Sequence, residues 1–204
     1  GWELRRKAGK KKVTLELGGN AGVIIDADAP LEYALQRTVS GAFAYSGQSC
    51  ISVQRIFIHR DIYKEFVAEF VKRVNGLKVG DPLKEETDVG PLITPGDAER
   101  IEAWIREAVA GGAELLTGGT REGSLVRPAV LCGVEKRMKL SCMEAFGPVC
   151  TVQPFDDFYD AVREVNDSTY GLQAGIFTRD MGKVMRAFDE LEVGGLMVND
   201  VPTY

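Results

Sequence analysis

The chain has little of what metal sites, disulfide scaffolds and membrane spans require. It carries one histidine and four cysteines, Cys50, Cys132, Cys142 and Cys150, and no two cysteines form a C-x-x-C pair. A zinc site is not expected from so few ligands at such spacing. Four cysteines among 204 residues suit reduced thiols in the cytoplasm better than a disulfide framework. No apolar run approaches the ~18 to 20 residues of a membrane helix, and no secretory signal stands out, so no membrane partner is expected. An excess of positive charge is missing too. The formal net charge of -5 argues against nucleic acid as a partner. There is no initiator methionine before Gly1-Trp2 and no polar tail at Pro202-Thr203-Tyr204. The expectation is a piece of a longer protein, with a processed or tagged whole protein as the alternative.

What is present is ordinary globular material, 45% hydrophobic and 27% charged. A chain of this length can bury about 70% of its unfolded surface. Neither an internal repeat nor a low-complexity linker divides it, so residues 1-204 are read as a single domain. After a basic segment from Arg5 to Lys12, read as a solvated helix end, Val13-Thr14-Leu15-Glu16-Leu17 alternates as a short strand does. Gly22 to Asp26 is an apolar strand, and Asp28-Ala29-Pro30 opens a helix with apolar residues from Leu31 to Phe43 at helical spacing. Gln54 to His59 reads as a strand and Ile62 to Val74 as an amphipathic helix capped by Asp61. A loop covers Gly76 to Pro91. A further helix near Asp97 to Ala110 is stopped by Gly111-Gly112. Short strands follow at Glu114 to Thr117, Pro128 to Cys132 and Val149 to Phe155. The last third alternates helix, strand, helix and strand at 157-166, 172-177, 181-191 and 195-199. Gly118, Gly119 and Gly123 make a hairpin-like loop. It lacks the G-x-G-x-x-G pattern and a following helix, so no phosphate is assigned to it. Strands spaced by helices imply the α/β class, an open, twisted, mostly parallel sheet with helices on both faces.

Four places could carry chemistry. Ser46-Gly47-Gln48-Ser49-Cys50-Ile51 sets a cysteine at the end of a small, polar, glycine-containing segment. Its thiolate could be offered to a small electrophile, or Cys50 could be a small buried hydrophobe. Glu16 within an apolar strand could be a general base whose pKa is raised by burial, or an exposed residue on the outer face of an edge strand. His59 ends its strand beside Arg60 and Asp61, as a surface histidine or as a partner for Cys50. Ser141 to Pro148 puts a carboxylate, an aromatic and a Gly-Pro turn together, as a ligand-facing loop or as a plain turn around a packed Phe146.

Taken in order, Leu15-Glu16-Leu17-Gly18-Gly19-Asn20, Gly47-Gln48-Ser49-Cys50, Glu144-Ala145-Phe146-Gly147-Pro148 and Asn166 to Leu172 resemble the aldehyde dehydrogenase superfamily. The likeness extends over almost the whole chain. It implies the family's catalytic domain, lacking most of the N-terminal dinucleotide-binding domain and the C-terminal segment. An upstream asparagine of the oxyanion hole and the motifs for the cofactor's adenosine and diphosphate would lie outside this chain.

The resemblance also implies a reaction. Cys50 thiolate attacks the aldehyde carbon to give a thiohemiacetal, whose oxyanion is held in part by the Cys50 N-H. Hydride passes to NAD or NADP, and Glu16 activates water to hydrolyse the resulting thioester. Glu144 would bind the nicotinamide ribose, Phe146 would line the nicotinamide site, and the backbone at Leu17 and Gly18 would lie near the ring. Glu16 favours hydrolysis over acyl transfer to coenzyme A. Met143 and Ala145 flank Glu144 where the family often has a second acidic residue and a larger apolar one. The family usually forms homodimers or homotetramers and acts on small aldehydes. The isolated chain is expected to be inactive. The alternatives are a non-catalytic interaction module that keeps the fold, and a cysteine hydrolase pairing Cys50 with His59.

Overall fold

Val23, Ile24 and Ile25 are all fully buried, which requires a strand covered on both faces. The computed structural model, which describes residues 1–203 and not Tyr204, supplies that cover. Its elements are α1 (Trp2–Lys7), β1 (Ala21–Ile25), α2 (Leu31–Phe43), β2 (Val53–His59), α3 (Arg60–Asn75), α4 (Pro95–Ala110), β3 (Glu114–Thr117), β4 (Arg121–Glu122), β5 (Leu125–Val126), β6 (Ala129–Cys132), α5 (Lys139–Cys142), β7 (Val149–Phe155), α6 (Phe158–Asn166), β8 (Gln173–Phe177), α7 (Met181–Glu190) and β9 (Gly195–Val198). Seven strands form an open sheet in the order β3-β6-β7-β2-β1-β8-β9. All neighbours are parallel except β3 and β6. β4 and β5 pair as a separate hairpin around Gly123.

Alternation along the strands sorts the core into two sides. Val23, Ile25, Ile56, Ile58 and Val152 pack with Phe43 of α2 and Phe66 and Phe70 of α3. The intervening Ile24 and Phe57 meet α6 and α7 on the opposite face. Ala129, Leu131 and Val149 meet α4 and Leu140 of α5 on that second face. Helices therefore cover both faces, as expected.

Two local expectations fail. Val13 to Leu17 forms no strand. Both sides of β1 are already taken by β2 and β8, and the sheet's free edges belong to β3 and β9. The alternating segment has no adjacent edge to join, and Glu16 lies exposed in extended coil instead of within an apolar strand. Asp61 is not the cap of α3. The helix begins at Arg60 directly after β2, so His59 takes the cap position and its Nδ1 accepts the Asp61 N–H at 3.3 Å.

The parallel arrangement gives the sheet two unlike ends. At the carboxyl end of β1, Asp26 is only 1% exposed and forms an ion pair with Lys183 of α7. Thr178 Oγ1 also approaches Asp26 at 3.4 Å and donates to Asp28 at 2.9 Å. Partial burial lowers the Lys183 pKa, but the hydrogen bond and charge of Asp26 outweigh it and leave the ammonium above its usual value. Replacing Lys183 by methionine strands a buried carboxylate. The expected cost is about 2 to 3 kcal/mol, below that of a fully enclosed pair because Lys183 keeps some solvent contact. The denaturation midpoint should fall accordingly, and Lys183→Met combined with Asp26→Asn should recover part of the loss.

Candidate active site

The other end of the sheet, the amino end, gathers the sequence motifs. Gly19-Asn20 precedes β1, Cys50 precedes β2, Glu144 to Pro148 precedes β7, and Tyr170 to Leu172 precedes β8. Open α/β sheets more often bind ligands beyond the carboxyl ends of their strands. Here the candidate chemistry sits at the opposite edge.

Cys50 is delivered by a strained turn. After α2 the chain passes through Tyr45, Ser46 and Gly47 with φ of 51°, 59° and 69°. Left-handed backbone at a tyrosine and a serine in succession costs energy and persists only when the surroundings dictate it. The buried Ser46 hydroxyl donates to Gly90 O at 2.8 Å, and Gln48 Oε1 accepts the Ile93 N–H at 3.0 Å. Gly47 presses on the Gly147–Pro148 peptide so closely that a Cβ there would overlap backbone atoms. The turn is thereby held against the segment that carries Glu144 and Phe146. Among the described residues no acceptor faces the Cys50 N–H.

Gly18 and Gly19 complete the junction. A Cβ on Gly19 would collide with the Cys50 carbonyl oxygen, and a Cβ on Gly18 would collide with the Glu144 carboxylate. The Gly19 N–H donates to Glu144 Oε1 at 2.9 Å. Backbone without side chains thus lies between the cysteine and the glutamate. Leu17 is exposed just before this pair, and Glu16 is exposed one residue earlier. Phe146, with φ of 48°, is also exposed. The structure brings Cys50, Gly18, Gly19 and Glu144 together, leaves Phe146 at the rim, and puts Glu16 outside the pocket that Cys50 lines with Gly19, Asn20, Arg55 and Tyr170.

Three buried polar residues hold this arrangement, and the sequence reading assigned them no role. Asn20 Nδ2 donates to Ser141 O and Met143 O, both at 3.1 Å. Gln54 donates to Met143 O at 2.9 Å and accepts the Ala145 N–H at 3.0 Å, gripping the loop on both sides of Glu144. Arg55 donates to Asn20 O, to Glu164 O at 2.8 Å and to Val165 O at 3.0 Å, tying the end of α6 to the start of β1. Burial pulls its pKa down to about 10, against the opposing charges of Glu164 and Asp167. Tyr170 adds its hydroxyl oxygen, which accepts the Glu144 N–H at 3.2 Å. The available signal was a Gln-Arg pair interrupting an otherwise apolar strand, since buried polar residues need assigned partners.

Two acceptors remain without a donor among the described residues, the buried Asn20 Oδ1 and the second Glu144 oxygen. A ligand bringing hydroxyl or amide hydrogens would satisfy them, which fits the ribose and carboxamide of a nicotinamide nucleotide. A Cys50–His59 pair does not fit. The two residues flank β2 at opposite ends, about 20 Å apart by strand rise alone, and His59 Nδ1 is engaged in its cap.

The glycine contacts make a direct prediction. Gly19→Ala meets backbone that cannot yield and should destabilise the chain by about 2 kcal/mol or more. Gly18→Ala meets the end of a side chain that can swing aside and should cost much less. Denaturation curves of the two variants measure the difference.

The sequence model of the aldehyde dehydrogenase family matches residues 1–204. A 3-sulfolactaldehyde dehydrogenase of Priestia aryabhattai is 45% identical over 201 residues, 98% of this chain and 42% of the relative. Among solved structures, aldehyde dehydrogenase 21 of Physcomitrella patens, in complex with the reaction product succinate, is 45% identical with a TM-score of 0.97, over 100% of this chain and 43% of that one. Glyceraldehyde-3-phosphate dehydrogenase of Methanocaldococcus jannaschii, complexed with NADP, is 37% identical with a TM-score of 0.95, over 100% of this chain and 44% of that one. The chain therefore spans less than half the length of each of these relatives.

Proposed function

The chain belongs to the aldehyde dehydrogenase family, and from that premise we propose that it supplies the nucleophile and the nicotinamide-facing loop for NAD(P)-dependent oxidation of an aldehyde to a carboxylic acid. One observation carries the reading. The Gly18-Gly19 backbone joins Cys50 to Glu144 at a single junction, with the Cys50 N–H open.

In this mechanism the Cys50 thiolate adds to the aldehyde carbon, and the carbonyl electron pair moves to oxygen. The resulting alkoxide accepts the Cys50 N–H, with a second donor coming from the rest of the protein. A bound NAD or NADP would supply the acceptor for the hydride lost from this carbon. Cys50 is left carrying an acyl thioester. Glu16 removes a proton from water, which attacks the thioester carbon, and the Cys50 thiolate departs as the carboxylic acid forms. Glu16 stands three residues before Gly19, a tether of about 10 Å when extended, so its carboxylate can be brought to the thioester once the remainder of the site surrounds it. Glu144, held through Oε1, would offer its other oxygen to the nicotinamide ribose, with Phe146 beside the ring and the Leu17-Gly18 backbone near it.

The remaining oxyanion donor and the cofactor's nucleotide pocket are assigned to the rest of the protein, so the isolated chain should turn over no aldehyde. A reducing compartment such as the cytoplasm would keep Cys50 as a thiol.

The test is formation of NADH or NADPH by the full-length protein with a panel of short aldehydes. Cys50→Ala should abolish it. Glu16→Gln should keep a first-turnover burst of reduced cofactor while steady turnover falls by about 100-fold or more. A folded protein with an intact Cys50 thiol that reduces neither cofactor would overturn the reading.

A further inference from the structure

A second recess flanks the Cys50 turn, an open space of about 600 Å³ lined by Ser49 and Ile51, the residues on either side of Cys50. Its opposite wall is the last two turns of α2 and the segment Val201 to Thr203. Asn199, with φ of 53°, turns the chain back after β9, and Thr203 N–H is tied to Gln173 Oε1 at 3.0 Å. This returning segment reaches the amino end of the sheet beside the nucleophile.

Among the described residues Arg37 is the only charged side chain lining the recess. Asp200 holds the guanidinium from behind, with Arg37 Nε on Oδ1 at 2.6 Å, and the same oxygen accepts the Val201 N–H at 2.8 Å. Both terminal nitrogens of Arg37 are left without an acceptor among the described residues. The side chain is 32% exposed, which leaves the fork open to the recess. A fixed guanidinium edge with free parallel donors matches an oxyanion such as a carboxylate, sulfonate or phosphate. Arg37 also stands about two helical turns, about 10 Å, before the end of α2. Because Arg37 lines the same recess as Ser49 and Ile51, an aldehyde at the Cys50 turn can direct an anion at its far end toward the guanidinium.

We propose that this recess is the subsite for the tail of the aldehyde, and that Arg37, braced by Asp200, selects short aldehydes whose tail ends in an anionic group. The proposal rests on Cys50 being the nucleophile of an aldehyde dehydrogenase. Asp200 is a positioning residue, since it acts by orienting Arg37.

The experiment compares 4-oxobutanoate with butanal, two four-carbon aldehydes that differ in the terminal carboxylate, using the full-length protein and its Arg37→Gln and Arg37→Lys variants. The expected result is a rise of about 10- to 100-fold in KM for 4-oxobutanoate in Arg37→Gln, with kcat little changed. Butanal kinetics should stay within about threefold, and Arg37→Lys should restore part of the lost selectivity. A ratio of the two kcat/KM values unaffected by Arg37→Gln overturns the subsite and leaves the dehydrogenase reading intact. Equal losses for both aldehydes, in Arg37→Lys as well as Arg37→Gln, also overturn it, because they assign Arg37 to the fold alone. A wild-type protein that oxidises no aldehyde in the panel overturns the dehydrogenase reading, and this inference with it.

Discussion

Close approach of bare backbone at three glycines, to other backbone at Gly19 and Gly47 and to a carboxylate at Gly18, is the constraint on which the site depends. Gly19 lies against the Cys50 carbonyl, Gly18 against the Glu144 carboxylate, and Gly47 against the Gly147–Pro148 peptide. These contacts join segments far apart in sequence, so the cysteine turn and the glutamate loop cannot shift independently. The order of the central strands follows from the same requirement. β1 must lie beside β2 for Gly19 to meet Cys50, and β7 must flank β2 on the other side for Pro148 to meet Gly47. Substituents at Gly19 and Gly47 act as steric faults in the assembly, which is why the absence of a side chain carries as much information here as the presence of one.

Around those contacts the polar groups are arranged to hold shape. Asn20 and Gln54 grip the main chain of residues 141 to 145, and Arg55 grips the main chain at the end of α6. Each uses a buried side chain to satisfy carbonyls that a loop at the end of a sheet cannot pair with itself. Arg55 is buried with no carboxylate in direct contact among the described residues, and burial lowers its pKa. Precision at the site is thus obtained from desolvated hydrogen bonds in a low-dielectric surrounding, where each is strong and the loss of any one leaves partners unmet.

The central strands were legible in the sequence because burial on both faces writes unbroken apolar runs such as Val23-Ile24-Ile25 and Ile56-Phe57-Ile58. The longer helices were legible from their apolar spacing, and α4 also from its Gly111-Gly112 stop, whereas the four-residue α5 was not. Val13 to Leu17 misled because alternation reports a suitable strand and says nothing of a free sheet edge to receive it. Asp61 misled because capping residue types were weighed without the exact strand end that gives the cap to His59. At the site, the motifs around Cys50 and Glu144 were visible as local patterns. The steric contact between Gly19 and Cys50, the bracing by Asn20, Gln54 and Arg55, and the recess behind Arg37 arise only when distant segments meet, so no local pattern encodes them.

Placement of the site at the amino end of the strands also decides which helix ends face it. In a βαβ crossover the helix returns antiparallel to its strands, so α2 and α6 end where Cys50 and Asn20 begin. Helix carboxyl termini carry partial negative charge. α2 and α6 therefore point their carboxyl ends at this edge, whereas α4 begins there, its Thr94 cap following the Ile93 N–H that Gln48 accepts. Arg55, donating to the terminal carbonyls of α6, neutralises one of these negative poles from within. The edge thus presents helix poles of both signs, the carboxyl ends of α2 and α6 and the amino end of α4, with Arg55 offsetting one of the negative ones.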